Sequence, residues 1–118
     1  MELRLACAGH LPPVLIEPGS EPLLLWEGRS APLTSQKKQA GPRQEAVWSL
    51  DPRSRLILYT DGLIERRAET IDEGLDRLLA EVRGDPERPL SALTRDLRRA
   101  LESGEGDDDV CVLAAAVG

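Results

Sequence analysis

Near the start of the chain, Leu3, Leu5 and Cys7 alternate with Arg4, Ala6 and Ala8. That period of two predicts a strand over residues 2–8. Gly9, His10, Pro12 and Pro13 interrupt it, and Val14 to Glu17 resumes an extended pattern. Pro18-Gly19-Ser20-Glu21 is a turn signal, and Leu23 to Trp26 supplies a partner strand, so a hairpin is expected there. Residues 28–44 are polar, contain two Gly and two Pro, and read as a loop or irregular edge. Glu45 to Leu50 alternates again, and Asp51-Pro52-Arg53-Ser54 forms the next turn. The run Leu56-Ile57-Leu58-Tyr59 is apolar enough to predict a strand covered on both faces, ending at Asp61-Gly62.

Beyond residue 69 the period changes. Thr70-Ile71-Asp72-Glu73 fits a capping box, and Ile71, Leu75, Leu78, Leu79 and Val82 fall on one helical stripe. Gly84 and Pro86 stop that helix. Leu90, Leu93, Leu97 and Leu101 mark a second amphipathic helix, which Gly104 is expected to end. Val110 to Val117 is apolar throughout and predicts a central terminal strand. The order of strands, two helices and a strand gives an α+β class, with helices on one face of a mostly antiparallel sheet.

Composition narrows the function classes. The 118 residues suit one small domain, with 41% hydrophobic residues for a core and only 3% aromatics. The formal net charge of −6 argues against nucleic acid, which needs a basic face. No apolar run reaches the roughly 20 residues of a membrane span, and the N-terminus lacks a signal-peptide pattern. A cytoplasmic protein is the expectation. Cys7 and Cys111 make no disulfide framework and read as reduced core residues. The acidity is one-sided. Residues 1–60 carry six acids against seven bases, and residues 61–118 carry fifteen against eight.

Two acidic positions stand out within that second half. Asp61 ends an apolar strand, and Asp107, Asp108 and Asp109 immediately precede the last one. Carboxylates at sheet ends sit on rigid scaffold yet face its rim, which suits hard cations such as Mg²⁺ or Mn²⁺. The plain alternative is an Asp-Gly turn and a solvated acidic loop.

Three segments resemble one family. Ala8-Gly9-His10-Leu11-Pro12-Pro13-Val14-Leu15 resembles the "AGHPPPLL" segment of bacterial SpoIIE-like and RsbU-like serine phosphatases. Leu56-Ile57-Leu58-Tyr59-Thr60-Asp61-Gly62-Leu63-Ile64-Glu65 is similar to their "LLLYTDGLTE" segment, and Asp108-Asp109-Val110 to their C-terminal "DDV". The motifs occur in the family's order over essentially the whole chain. The resemblance implies a PPM-type, type 2C-like β-sandwich flanked by helices, with Mn²⁺ or Mg²⁺ at one end of the sandwich. It implies hydrolysis of phosphoserine or phosphothreonine on a protein by a metal-activated water, with no side-chain nucleophile. By resemblance Asp61 and Asp108 are metal ligands, with Asp109 and Asp107 exchanging roles if the acidic run shifts by one. Gly62 would let the backbone pass close to the metal without a Cβ clash. The implied substrate is a phosphoprotein, with anti-sigma-factor antagonists as a frequent class. Arg66 and Arg67 read either as groups approaching a phosphate or as a solvated pair.

The chain departs from the pattern in one important respect. The family's Gly-Asp-x-x-Asp motif, which supplies further metal ligands, is absent. Gly-Asp occurs only at Gly84-Asp85 and Gly106-Asp107, in the wrong contexts. Pro32-Leu33-Thr34 also stands where many members have Pro-Leu-Gly. Residues 1–118 therefore read as the C-terminal part of a PPM-type domain, with an incomplete metal site and little activity alone. Uncovered sheet faces would then lead to self-association or to a complementing N-terminal half. The rival function is a degenerate, non-catalytic module that binds a regulatory partner. A zinc site from Cys7, His10 and Cys111 is disfavoured, because structural zinc usually takes four ligands. His10 reads instead as a turn residue hydrogen-bonded to backbone.

Overall fold

The computed structural model describes residues 1–27, 29–30, 45–101 and 109–117, with the backbone alone for 7–8 and 29–30. The expected α+β class is what it shows. The strands are β1 (Glu2–Leu5), β2 (Cys7–Ala8), β3 (Val14–Ile16), β4 (Leu23–Leu24), β5 (Arg29–Ser30), β6 (Ala46–Ser49), β7 (Arg55–Tyr59) and β8 (Val112–Ala116). The helices are α1 (Ile71–Gly84) and α2 (Leu90–Leu101). A four-stranded sheet in the order β4-β3-β7-β8 is antiparallel throughout. A second antiparallel pair joins β1 to β6, and a short parallel pair joins β2 to β5. None of the described helices is long and apolar enough to cross a membrane.

Alternation along the strands sorts the core into two layers. Val14, Ile16 and Ile57 face one side and meet Leu75, Leu78, Val82, Leu93, Leu97 and Leu101 of the helices. Leu15 and Leu56 face the other side and meet Leu3, Leu5, Trp48, Leu25 and Leu50. The result is three layers: helices, the four-stranded sheet, and the β1–β6 pair. That is the geometry a period-two strand produces when both of its faces find cover.

The expected hairpin is β3–β4, with Gly19 at φ 73 in its turn. The expected first strand is split, because β1 and β2 pair with different partners. Within the stretch expected to be a loop or irregular edge, Arg29–Ser30 forms a two-residue strand, and residues 31–44 lie outside those described. Two further expectations are corrected. The apolar C-terminal strand is at the edge of its sheet, not central: among the described residues β8 pairs only with β7. In addition, β7 is not covered on both faces along its whole length. The β1–β6 layer covers Leu56, but Leu58 is 39% exposed and its cross-strand partner Leu113 is 57% exposed. An apolar sequence signals that cover is needed without showing that the same residues provide it.

The helices begin and end as their chemistry dictates. The Thr70 hydroxyl accepts from the Glu73 N–H at 3.2 Å, and the Glu73 carboxylate accepts from the Thr70 N–H at 2.9 Å. This is the reciprocal capping box. Of the α1 stripe, Leu75, Leu78 and Val82 are buried, whereas Ile71 at the first turn is 38% exposed. In α2, Leu93, Leu97 and Leu101 are buried. The expected stop at Gly104 lies outside the described residues.

Arg88 fastens the two helices together. It is only 9% exposed. Its Nε donates to the Asp85 carbonyl at 2.6 Å, its Nη2 to the Glu81 carbonyl at 2.8 Å, and its Nη1 to the Asp96 carboxylate at 3.1 Å. Arg55 of β7 donates to the carbonyls of Pro86, Glu87 and Arg88, which anchors the interhelical loop to the sheet. Burial raises the pKa of Asp96, but hydrogen bonds and charge from Arg88 and Arg95 outweigh it and hold the carboxyl below its ordinary range. A carboxyl depressed in the folded state stabilises the fold above its unfolded pKa and loses that contribution as the pH falls through its folded pKa. Stability is therefore expected to fall as the pH drops below about 4. Asp96→Asn should flatten that part of the profile while leaving a lower plateau at pH 7, as measured by thermal unfolding from pH 7 to pH 2.5.

Candidate metal centre

The strand β7 carries its apolar residues to Tyr59, and the chain then leaves the sheet through a short 3-10 turn at Asp61–Leu63. The Asp61 carbonyl accepts from the Ile64 N–H at 3.0 Å and the Glu65 N–H at 2.9 Å, so the backbone of Asp61 is fixed while its side chain is exposed. Across the sheet, Asp109 is exposed just ahead of β8. The Tyr59–Val112 register sets both acids at the same end of the four-stranded sheet.

Thr60 joins the two segments. Its N–H donates to the Cys111 carbonyl at 3.1 Å. Its hydroxyl donates to the Asp109 carbonyl at 3.0 Å and accepts from the Cys111 N–H at 2.9 Å. The first motif meets the same region. The Tyr59 hydroxyl donates to the Pro12 carbonyl at 2.7 Å, and Pro12 and Pro13 are fully buried. Residues from all three motifs are thus bound to one another at this end of the sheet. Sequence reasoning passed over Tyr59 and Thr60. Their signal was their position at the end of a strand, where a hydroxyl can extend the ladder.

Asp107 and Asp108 lie outside the described residues. Among the described residues no salt bridge reaches Asp61 or Asp109, and no group of three or more His, Cys, Asp or Glu is assembled as a metal site. Asp61 and Asp109 fit a hard divalent cation by donor type, as exposed carboxylates on one rim, but two acids are fewer than such an ion takes from a complete protein site. Gly62 lies within the 3-10 turn, and among the described residues the glycines in the left-handed region are Gly9 and Gly19. Any need for glycine at residue 62 therefore concerns close approach rather than backbone conformation.

The surrounding cations have structural duties. Arg66 donates to the carbonyl of Leu101 at 3.3 Å, closing the C-terminus of α2, while Arg67 is exposed. Arg77 donates to the Ile64 carbonyl at 3.0 Å and forms an ion pair with Glu69. Burial, and then the charge of Arg66, lower the pKa of Arg77. The backbone just after Asp61 is thereby tied to α1. His10 is exposed, and Cys111 is exposed rather than core.

A groove of about 760 Å³ lies at the opposite end of the sheet, lined by Glu17, Arg53, Arg55, Asp85, Glu87 and Val117 among others. Arg55 is occupied there by three carbonyls, and the neighbouring Glu21 by Arg83 at 2.5 Å. The groove is remote from Asp61.

The family model described as "Stage II sporulation protein E (SpoIIE)" matches residues 1–118, the whole chain. The chain belongs to the SpoIIE family. This membership places it with PPM-type phosphatases at the level of the family. Among solved structures, the chain is similar to the RsbU and RsbW domains of Rv1364c from Mycobacterium tuberculosis, at 24% identity and a TM-score of 0.75. That match covers 98% of this chain and 33% of the other. It is also similar to the phosphatase domain of SpoIIE from Bacillus subtilis, from crystals presoaked with Mn, at 16% identity and a TM-score of 0.54. Here the match covers 99% of this chain and 56% of the other. At these identities the likeness concerns the fold, and the fold agrees with the expected part of a PPM-type sandwich flanked by helices. The chain spans about a third of the first structure's length and just over half of the second's. No curated protein matches the chain.

Proposed function

We propose that residues 1–118 form the C-terminal part of a metal-dependent phosphoserine/phosphothreonine protein phosphatase domain and contribute one side of its metal centre. The observation that carries this reading is the Thr60 linkage, which sets Asp61 beside the Asp109 segment at one sheet end. Asp61 would be one ligand, and Asp108 or Asp109 the other. When bound, Mn²⁺ or Mg²⁺ supplies an activated water and neutralises charge on the phosphoryl group and the leaving oxygen. The chain's own residues hold the carboxylates in place: Thr60 and the 3-10 turn fix the backbone on either side, and Arg77 ties Ile64 to α1.

The exposed Leu58–Leu113 pair and the edge of β8, which has no second partner among the described residues, support a need for further covering strands. These come from an N-terminal half of the domain or from self-association. The family model and an RsbU domain joined to an RsbW domain in one structure support a regulatory phosphoprotein as substrate, in the class of anti-sigma-factor antagonists. A cytoplasmic setting belongs to the same proposal.

The test is hydrolysis of a phosphoserine peptide with Mn²⁺. This chain alone is expected to show little or no turnover, and adding an N-terminal half that carries the Gly-Asp-x-x-Asp motif is expected to restore it. Robust turnover by the chain alone, lost in Asp61→Asn, would overturn the incomplete-site reading. No turnover with either form would favour a non-catalytic module. Light scattering examines the covering strands separately, since a monodisperse monomer with cooperative unfolding contradicts that part of the proposal.

A further inference from the structure

The bonds around Thr60 are not those of a regular ladder. In an antiparallel sheet a closely bonded pair exchanges two backbone bonds, each N–H to the other residue's C=O. Thr60 and Cys111 form the next pair beyond Tyr59–Val112. One backbone bond is made, from the Thr60 N–H to the Cys111 carbonyl at 3.1 Å. The return bond goes elsewhere: the Cys111 N–H donates to the Thr60 hydroxyl at 2.9 Å. The Thr60 carbonyl is thereby released, and it accepts from the Leu63 N–H at 3.0 Å to start the 3-10 turn that carries Asp61 and Gly62. The same hydroxyl still has its proton to give, and it donates it to the Asp109 carbonyl at 3.0 Å.

We infer that Thr60 is a positioning residue whose hydroxyl takes the place of its own carbonyl in the sheet. The Thr60 carbonyl is engaged by the Leu63 N–H and not by the Cys111 N–H, so the return bond of the ladder falls to another acceptor. A hydroxyl, which both donates and accepts, supplies that acceptor and still gives its proton to Asp109. It holds the Asp109–Cys111 segment against β7 while the chain turns sharply away. The Asp109–Cys111 segment is therefore held beside Asp61 by the Thr60 side chain as well as by the Thr60 N–H. A hydrogen-bonding side chain is required at residue 60 if both acids are to serve one centre. This inference rests on the proposed metal reading for its functional meaning, and on the hydrogen bonds alone for its structure.

The test compares Thr60→Val, which keeps the shape and loses the hydroxyl, with Thr60→Ser, which keeps the hydroxyl. Amide hydrogen exchange is followed at Cys111 and Leu63 in the full chain without metal. In Thr60→Val the Cys111 N–H loses the acceptor it uses, so exchange should accelerate about fivefold or more at Cys111, or at Leu63 if the carbonyl swings back to the ladder. In Thr60→Ser both should stay within about twofold of the natural chain. Unchanged exchange at both amides in Thr60→Val, or equal acceleration in Thr60→Ser, overturns the inference. Line broadening by Mn²⁺ at the Asp61 and Asp109 amides is read on the same samples. Broadening at both in the natural chain and in Thr60→Ser, and at no more than one in Thr60→Val, supports the positioning role. Normal exchange behaviour with no Mn²⁺ broadening in the natural chain counts against the metal reading and leaves the hydroxyl exchange established. Thr60 is exposed, so water can satisfy the freed groups and Thr60→Val should still fold.

Discussion

Asp61→Asn is expected to abolish Mn²⁺ binding at concentrations that half-saturate the natural chain. Asn keeps the size and shape of the side chain and removes its charge, which is what a hard cation requires. Disturbing a group that merely supports a metal ligand costs roughly 10–100-fold in affinity, so losing a ligand charge should cost on the order of 100-fold or more. The fold should survive. It is the Asp61 carbonyl, not its carboxylate, that accepts from Ile64 and Glu65, and no salt bridge among the described residues uses the side chain. Glu17→Gln, in the groove at the other end of the sheet, is the control and should leave Mn²⁺ affinity unchanged. Titration calorimetry on the three proteins checks the prediction, with thermal unfolding to confirm that all are folded. Equal affinity in the natural chain and Asp61→Asn would remove Asp61 from the site.

The second large effect is on stability, at Gly74 in the first turn of α1. A Cβ there would lie 2.5 Å from the Ile64 carbonyl oxygen and 3.1 Å from the Ile64 Cβ. The obstacle is backbone, which cannot rotate away. Helix propensity favours Ala over Gly by about 1 kcal/mol, so on an open surface Gly74→Ala would stabilise. Overpacking of this kind costs about 1–3 kcal/mol. Gly74→Ala is therefore expected to be destabilising by about 1 kcal/mol, and Gly74→Val, with a branched Cβ, by about 3 kcal/mol. Urea unfolding of the three proteins gives the numbers. The expected sign for Ala is opposite to that of an ordinary helical position, so a more stable Gly74→Ala would show that α1 does not sit against Ile64. Because Ile64 closes the turn begun at Asp61, the same substitutions should also shift the backbone resonances of residues 61–65.

The strand pattern, the capping box at Thr70 and the two Leu stripes were legible because each follows from a local period or a local hydrogen bond. Other features depended on partners distant in the chain. The apolar run at 110–117 reads as central, yet β8 is an edge strand, because sequence records the demand for cover and not its source. Arg29–Ser30 joins a parallel pair that a two-residue stretch beside a Gly-Pro-rich segment does not announce. Arg88 carries a charge that normally marks a surface, and its burial is possible only because Glu81, Asp85 and Asp96 come together around it. Of the candidate site, Asp61 and the Asp107–Asp109 run were visible as acids at strand ends. The role of Thr60 was not, because it lies in which of two oxygens a single N–H chooses.

The most direct measurement is the map of Mn²⁺-induced line broadening over the amides of this chain. Loss of signal is expected at residues 60–62 and 109–111, one end of the four-stranded sheet. Arg55, Ala116 and the acid-lined groove around Glu17 and Glu87 should keep their signals. Broadening centred on that groove, or none at Asp61 while the protein is folded, would contradict that expectation.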